Sequence, residues 1–319
     1  MSRVVVTGRI PRQAVDSLAA EHDVVAHDEE DAVSREALLE MVRGADALVT
    51  LLTESVDAEL LDAAGPQLKV VANVAVGYNN VDVDACRERD VLVTNTPDVL
   101  TDATADTAFG LLLMVSRRLG EGERIIRSGT PWKWGMFYLL GQGLQGKTIG
   151  IVGLGGIGAA MARRARAFGM DVVYHSRRPC APELAEELGA TRLDLAELLR
   201  TSDVVSLHCP YSEATHHLIG AEQLALMKDT AYLINSARGP IVDEEALVQA
   251  LRAGTIAGAG LDVFEQEPEV HEGLLELENV ALAPHLGSAT VETRTAMAQL
   301  AADNVLAVLR GEATLTPVG

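Results

Sequence analysis

The chain is short of aromatic residues, of cysteine and of positive charge, and it has no long apolar run. Each shortage excludes something. Aromatics are 3% of the 319 residues, so the cores have to be built from Ala, Val, Leu and Ile. The three cysteines (Cys86, Cys180 and Cys209) are scattered, with no C-x-x-C pair and no ligand-like spacing. That argues against a disulfide framework and a metal site, and for a reducing cytosol. Lys and Arg total 26 against 46 Asp and Glu, a net charge of −20. A field of that sign repels nucleic acid and anionic membranes, so neither is an expected partner. No apolar stretch reaches the length of a membrane span. The first residues, MSRVVVTGRIP, enter a strand pattern at once, without a signal peptide, so a cytoplasmic protein is expected. In so acidic a chain an anionic substrate needs a locally positive pocket.

What is present is organised around Lys147 to Arg178, KTIGIVGLGGIGAAMARRARAFGMDVVYHSRR. An apolar run (148–152) leads into Gly153-Leu154-Gly155-Gly156-Ile157-Gly158. An Ala-rich helical pattern follows, then a second apolar run ending at Tyr174. Strand, glycine turn, helix and strand is the context in which G-x-G-x-x-G means dinucleotide binding. Gly153 permits the tight turn, Gly155 lets the backbone approach a pyrophosphate, and Gly158 lets the helix pack on the strand. The helix N-terminus offers unpaired N–H groups to the phosphates. At the end of the second strand, an acid would bind the ribose hydroxyl of NAD. His175, Ser176, Arg177 and Arg178 stand there instead, and they suit a 2′-phosphate. NADP(H) is therefore the favoured cofactor, with NAD(H) the other choice.

Before this stretch, short apolar runs (4–7, 24–26, 47–52, 70–74 and 91–94) alternate with helical patterns (12–20, 35–42, 57–64 and 83–88). That alternation predicts a parallel sheet covered on both faces. Thr96-Pro97-Asp98 marks a break. One long connecting helix is predicted from Thr101 to about Arg127, and strands then recur at 204–207, 231–234, 257–261 and 280–283. Helices at 195–199, 222–226 and 244–252 separate several of these strands, and a last helix is predicted over 291–309. The fold class is α/β, with two doubly wound parallel-sheet domains and a ligand cleft between them. Residues 1–97 with 285–319 make one domain, and 98–284 make the dinucleotide-binding one. Pro131, Trp132, Trp134, Met136, Phe137 and Tyr138 crowd into a single loop. In a chain so poor in aromatics this reads either as an interface or pocket wall or as ordinary loop packing.

Three strand ends carry candidate chemistry. Arg238, in INSARG, is an arginine after a buried strand and a candidate carboxylate clamp, or else half of a structural ion pair. In GLDVFEQEP, Asp262 can accept from an amide and Glu267 can orient a histidine. In PHLGSAT, His285 is the one histidine in a Gly/Ser/Pro-flanked turn directly after an apolar strand. His22, His27, His216 and His271 lie in polar surroundings and read as surface residues. His208 reads as a backbone-shaping position near the cofactor. A carbonyl acid needs its carboxylate held, its carbonyl polarised, a hydride and a proton. Arginine supplies charge without titrating, and histidine beside a carboxylate is a ready proton donor.

With these motifs in place, the whole chain resembles the D-isomer-specific 2-hydroxyacid dehydrogenase family. VANVAVGYNNVDVDAC (71–86), GLGGIG, INSARG, GLDVFEQEP and PHLGSAT occur in the family's order. Within the family it most resembles the glyoxylate/hydroxypyruvate reductase branch. The resemblance implies a flavodoxin-like substrate domain and a Rossmann cofactor domain. It also implies a catalytic trio in which Arg238 binds the 2-oxo acid, His285 protonates the carbonyl oxygen and Glu267 keeps His285 cationic. Backbone N–H groups of Val76 and Gly77 would cradle the carboxylate, with Ser288 assisting and Leu52 lining the pocket. Thr104, Gly156, Ile157, Cys209, Pro210, Thr215, Ala237, Asp262 and Gly287 would join the glycine turn around the cofactor. Family members pair as dimers, which gives the aromatic loop a use: Trp134 or Tyr138 could reach the partner's site. Two departures stand out. The family's frequent arginine in the glycine turn is Gly156 here. Phosphite-oxidising relatives carry a lysine where this chain has Val76. The expected reaction is NADP(H)-preferring reduction of glyoxylate and hydroxypyruvate. The alternatives are a broader NADH-dependent D-2-hydroxyacid dehydrogenase and a dinucleotide-sensing co-regulator.

Overall fold

The computed structural model describes residues 1–318. It begins with β1 (Arg3–Val6), α1 (Arg12–Ala19), β2 (Asp23–Ala26), α2 (Arg35–Met41) and β3 (Ala47–Thr50). Then come α3 (Ala58–Ala64), β4 (Val70–Asn73), α4 (Val83–Arg87) and β5 (Leu92–Thr94). The five strands pair in parallel in the order β2-β1-β3-β4-β5, the flavodoxin-like arrangement. In β1, β3 and β4 the Val, Leu and Ala side chains are buried on both faces, so these strands read as continuous apolar runs rather than alternating ones. Helix starts are set locally: Ser34, Asp57 and Asp82 accept from Ala37, Leu60 and Ala85 N–H groups at the heads of α2, α3 and α4. The predicted strand 47–52 stops at Thr50. The N–H of Leu51 turns from the ladder to the buried carboxylate of Glu54, 2.6 Å away.

The second set of elements opens with α5 (Thr101–Ser116) and α6 (Leu119–Arg127), not with one long helix. Arg118 sits in the left-handed region (φ 54°) and grips Glu121 with both arms of its guanidinium, so the chain re-starts there. The two helices also differ in environment: α5 buries Phe109, Leu111 and Leu112, whereas α6 buries nothing. There follow β6 (Thr148–Val152), α7 (Gly156–Ala167), β7 (Asp171–His175), α8 (Pro182–Leu188), β8 (Thr191–Arg192), α9 (Leu195–Thr201) and β9 (Val204–Leu207). The series ends with α10 (Ala221–Leu226), β10 (Tyr232–Asn235), α11 (Glu244–Ala253), β11 (Gly258–Leu261), α12 (Glu272–Leu275) and β12 (Val280–Leu282). The short α8, β8 and α12 have no clear periodicity in the sequence. These seven strands are parallel in the order β12-β11-β10-β9-β6-β7-β8, a Rossmann sheet whose order reverses between β6 and β9. One face packs on α5 and α7 through Phe109, Leu112, Ile151 and Met161; the other buries Leu198, Leu233, Leu247 and Leu251.

The last helix, α13 (Val291–Leu309), starts on Thr290, whose hydroxyl accepts from Thr293 N–H. Ala298, Ala301, Ala302 and Val305 of α13 pack on Val4, Val49 and Val70. The chain therefore divides into two compact units, Met1–Leu100 with Ser288–Gly319, and Thr101–Gly287. The second seam falls slightly after the expected 284/285. Asp262 ties down the residues that follow β12, its carbonyl taking His285 N–H and its carboxylate taking those of Leu286 and Gly287.

Candidate active site

Ligands of doubly wound sheets bind beyond the strand ends where the order reverses. In the second unit the turns after β6 and β9 meet there. Gly153 has φ 97°, and a Cβ on it would lie 2.5 Å from the Cys209 N–H nitrogen. A Cβ on Gly158 would overlap the Gly153 carbonyl, so the start of α7 lies directly on the turn. Nothing approaches the place of a Gly155 Cβ, and no side chain caps α7. The outcome is a bare backbone at a helix N-terminus, which fits a dinucleotide pyrophosphate. Gly156 and half-buried Ile157 form the first turn of that helix.

Beyond β7, Arg177 and Arg178 are exposed and make no ion pair among the described residues. Ser176 Oγ donates to the Arg178 carbonyl. Arg192 of β8, which sequence reading missed, donates to the Ser176 and Arg177 carbonyls at 2.8 and 3.2 Å and so shapes this loop. Its signal was hidden because β8 is two residues long. After β9, Thr215 Oγ1 donates to the Pro210 carbonyl at 2.9 Å and accepts from Ser212 N–H, which closes the loop. Burial pushes the Cys209 thiol up to about 11, so it is neutral. His208 stands with Ser206 Oγ 2.8 Å from its Nε2, and burial lowers its pKa to about 4. Thr104 is buried on α5 and borders the place of a Gly287 Cβ.

The second unit also brings Arg238, Glu267 and His285 together. Buried Asn235, unremarked in the sequence, shapes the turn after β10: its Oδ1 accepts from Ala237 N–H at 3.0 Å and its Nδ2 donates to the Arg238 carbonyl. Gly239 lies so close to the 264–265 backbone that a Cβ would overlap the Phe264 carbonyl. That contact sets the arginine turn against the loop carrying Glu267. Glu267 Oε1 accepts from Phe264 N–H at 2.9 Å, and Oε2 lies 2.7 Å from His285 Nδ1. His285 adopts φ 53°, a conformation held by its own N–H bond to the Asp262 carbonyl and by the bonds of Leu286 and Gly287 N–H to the Asp262 carboxylate. Burial raises the Glu267 pKa, but the His285 bond, the Phe264 N–H and the Arg238 charge outweigh it and hold the carboxyl below its usual range. Burial draws the Arg238 pKa down, with Glu267 opposing. Burial likewise raises the Asp262 pKa against the pull of its two N–H donors.

Glu265, next but one to Glu267, was also missed. Its carboxylate lies 2.5 Å from His217 Nε2, and it exchanges backbone N–H bonds with buried Glu244. The histidines read as surface residues divide. His27 and His271 bond to Asp31 and Glu245 near the surface, but both ring nitrogens of His22 are buried without a hydrogen-bond partner among the described residues.

The first unit contains the remaining residues: Leu52 on the loop after β3, Val76 and Gly77 on the loop after β4, and Ser288 just before α13, all half-buried. In the aromatic loop, Trp132 and Tyr138 stack at 6.3 Å, while Trp134 and Phe137 are 78% and 88% exposed.

A Rossmann sheet with an open glycine turn, and a carboxylate–imidazole pair near a half-buried arginine, define a dinucleotide-dependent oxidoreductase. Residues 109–287 match the family model described as D-isomer specific 2-hydroxyacid dehydrogenase, NAD binding domain. The chain is 52% identical to the glyoxylate reductase of Thermococcus onnurineus, over 99% of this chain and 95% of that one. It is 50% identical to that of Pyrococcus furiosus, over 97% and 93%. A solved structure of an NADPH-dependent glyoxylate/hydroxypyruvate reductase from Sinorhizobium meliloti, in complex with NADP and malonate, superposes with TM-score 0.88 at 40% identity, covering 100% of this chain and 97% of that one. The chain belongs to the D-isomer specific 2-hydroxyacid dehydrogenase family and, within it, to the glyoxylate reductase branch. It is an NAD(P)-dependent enzyme of that class.

Proposed function

We propose that this enzyme reduces small 2-oxo acids with a preference for NADPH, taking glyoxylate to glycolate and hydroxypyruvate to D-glycerate. The observation that carries the reading is the Glu267–His285 pair at 2.7 Å, in the same unit as Arg238 and the open glycine turn. The names of the relatives support the substrate class. In this reading the second unit holds the cofactor through the glycine turn, Thr104, Cys209, Pro210, Thr215, Ala237, Asp262 and Gly287. The first unit contributes Leu52, Val76, Gly77 and Ser288 to the substrate.

A bound nicotinamide supplies the hydride to the carbonyl carbon. Arg238 holds the acid and stabilises negative charge gathering on the carbonyl oxygen. Glu267 occupies His285 Nδ1, so Nε2 is the nitrogen that delivers the proton to that oxygen. Glu267, held ionised by its own donors and by Arg238, fixes the orientation of the His285 ring for that step. Arg177 and Arg178, exposed and unpaired, with Ser176, receive the 2′-phosphate. The same reading makes the protein a homodimer through α6 and the aromatic loop, with Trp134 or Tyr138 limiting substrate size in the partner's site.

The test is oxidation of NADPH and NADH at matched concentrations by the purified protein, with glyoxylate and then hydroxypyruvate. Faster turnover with NADPH is expected, and Arg238→Ala should lower kcat/KM for both acids by about 100-fold or more. Near-normal rates in that variant would remove the assignment. A preference for NADH would leave the chemistry standing and sink the 2′-phosphate argument.

A further inference from the structure

Three loops leave the C-terminal ends of β9, β10 and β11, and Glu265 joins them. Glu265 Oε1 lies 2.5 Å from Nε2 of His217, on the loop after β9. A carboxylate accepts, so Nε2 is the donor. Glu265 Oε2 accepts at 3.3 Å from the N–H of Glu244, where the loop after β10 enters α11. The Glu265 N–H donates in return to Glu244 Oε1 at 2.7 Å. Glu244 is buried, so its carboxylate would be costly to leave without that donor. The first two loops are also joined through their main chains. His217 N–H donates to the Pro240 carbonyl at 2.8 Å and Ile219 N–H to the Ile241 carbonyl at 3.1 Å, and Asp243 N–H returns a bond to the Ile219 carbonyl. The His217 ring is buttressed as well: its backbone is left-handed (φ 48°), and the His216 ring stacks on it at 4.0 Å.

Glu267 is two residues beyond this junction. Val263 and Phe264 are buried, whereas Gln266, Glu267, Pro268 and Glu269 are exposed. They form a turn closed by Glu269 N–H on the Gln266 carbonyl at 2.9 Å. An exposed turn with little buried surface opens locally at low cost, so its roots decide where it points. One root is the Phe264 N–H that Glu267 itself holds. The other is Glu265, held from both sides. His217 also lies two residues after Thr215, so the same contact ties the loop assigned to the dinucleotide to the loop that carries Glu267.

We propose that His217 and Glu265 are positioning residues, a clasp across three loops that holds the turn bearing Glu267 and so sets Glu267 against His285. This rests on the 2-oxo acid reading and deepens it by naming the side chains that aim its carboxylate. The main-chain bonds of His217 and Ile219 keep the loop after β9 in place when the clasp is broken, so the clasp acts on the chemical step rather than on binding.

Asparagine tolerates the left-handed backbone at position 217 but is too short to reach Glu265, so His217→Asn breaks the clasp without straining the turn. Three measurements are made on it and on the parent. The first is hydrogen exchange, by mass spectrometry, of peptides spanning 262–270, with 279–284 as the internal reference. The second is the set of steady-state constants for glyoxylate and NADPH. The third repeats those constants in Glu267→Gln and in the double variant. Exchange over 262–270 should quicken by about tenfold in His217→Asn with the reference unchanged. Its kcat should fall by about tenfold, with both KM values within about twofold of the parent. The double variant should be no slower than Glu267→Gln, because a residue that acts through Glu267 then has nothing left to move. His217→Gln, which restores a donor of similar reach, should recover most of the rate. Unchanged exchange over 262–270 overturns the inference, whatever the turnover. So do rate losses that multiply in the double variant, and a lowered melting temperature with the parent kcat, since either marks a role that does not pass through Glu267. Should His217→Asn not fold, Glu265→Gln is measured in the same way against the same outcomes. A parent that reduces no 2-oxo acid, while His217→Asn still frees 262–270, would sink the reductase reading and leave the clasp standing.

Discussion

Glu267 and His208 are both shifted downward from their ordinary pKa values, for different reasons. For Glu267, hydrogen bonds and positive charge overcome burial; for His208, burial acts alone. Both shifts make stability rise with pH, since in each window the unfolded chain binds more protons than the folded one. The Glu267 contribution is complete above the usual carboxylate range and is lost as pH falls through its lowered value. The His208 contribution is complete above the ordinary 6.5 and is lost between there and about 4. Urea denaturation at a series of pH values should therefore show a shallower slope across that upper window in His208→Gln than in the parent. Identical slopes would mean that His208 accepts a proton in the folded state.

At the scale of elements, the approach of the arginine turn to the 264–267 loop depends on one missing methyl group. A Cβ on Gly239 would overlap the Phe264 carbonyl and press on Glu265 N, both main-chain atoms that cannot rotate away. Gly239→Ala should cost about 1–3 kcal/mol in stability, as overpacking does elsewhere. It should also lower kcat by more than it weakens dinucleotide binding, because the loop that moves carries Glu267. Thermal melting, steady-state rates and a dinucleotide titration check this together. Loss of binding with unchanged kcat would contradict it. The break at Arg118 has the same local character: helix periodicity continues through Arg117–Arg118, but a left-handed residue and its fork to Glu121 divide the segment.

At the scale of the whole molecule, α6 buries no residue, with Leu119 and Ile126 more than half exposed, and Trp134 and Phe137 stand out from the aromatic loop. Apolar surface so concentrated in a chain with a net charge of −20 calls for a cover. The −20 charge disfavours close association unless apolar burial offsets it, so pairing should strengthen with salt. Sedimentation equilibrium at micromolar concentration should give twice the 33.9 kDa chain mass, and Phe137→Asp should shift the protein toward the monomer. A parent that sediments as a monomer at all salt concentrations would remove the dimer.

The sequence by itself determined the alternation of strands and helices, the glycine turn and the nature of Arg238, Glu267 and His285, because these depend on local periodicity and on residue chemistry. Strands such as Val204–Leu207 and the helix Val291–Leu309 have the bounds their patterns imply. Only the tertiary structure decided which side chains hold those features in place. Asn235, Arg192 and Gly239 matter through partners in other elements, as do His217 and Glu265. A histidine in sequence is a polar residue with many uses. It becomes a clasp only when the fold sets a carboxylate 48 residues further along within reach of its ring, where an unmade hydrogen bond would be costly.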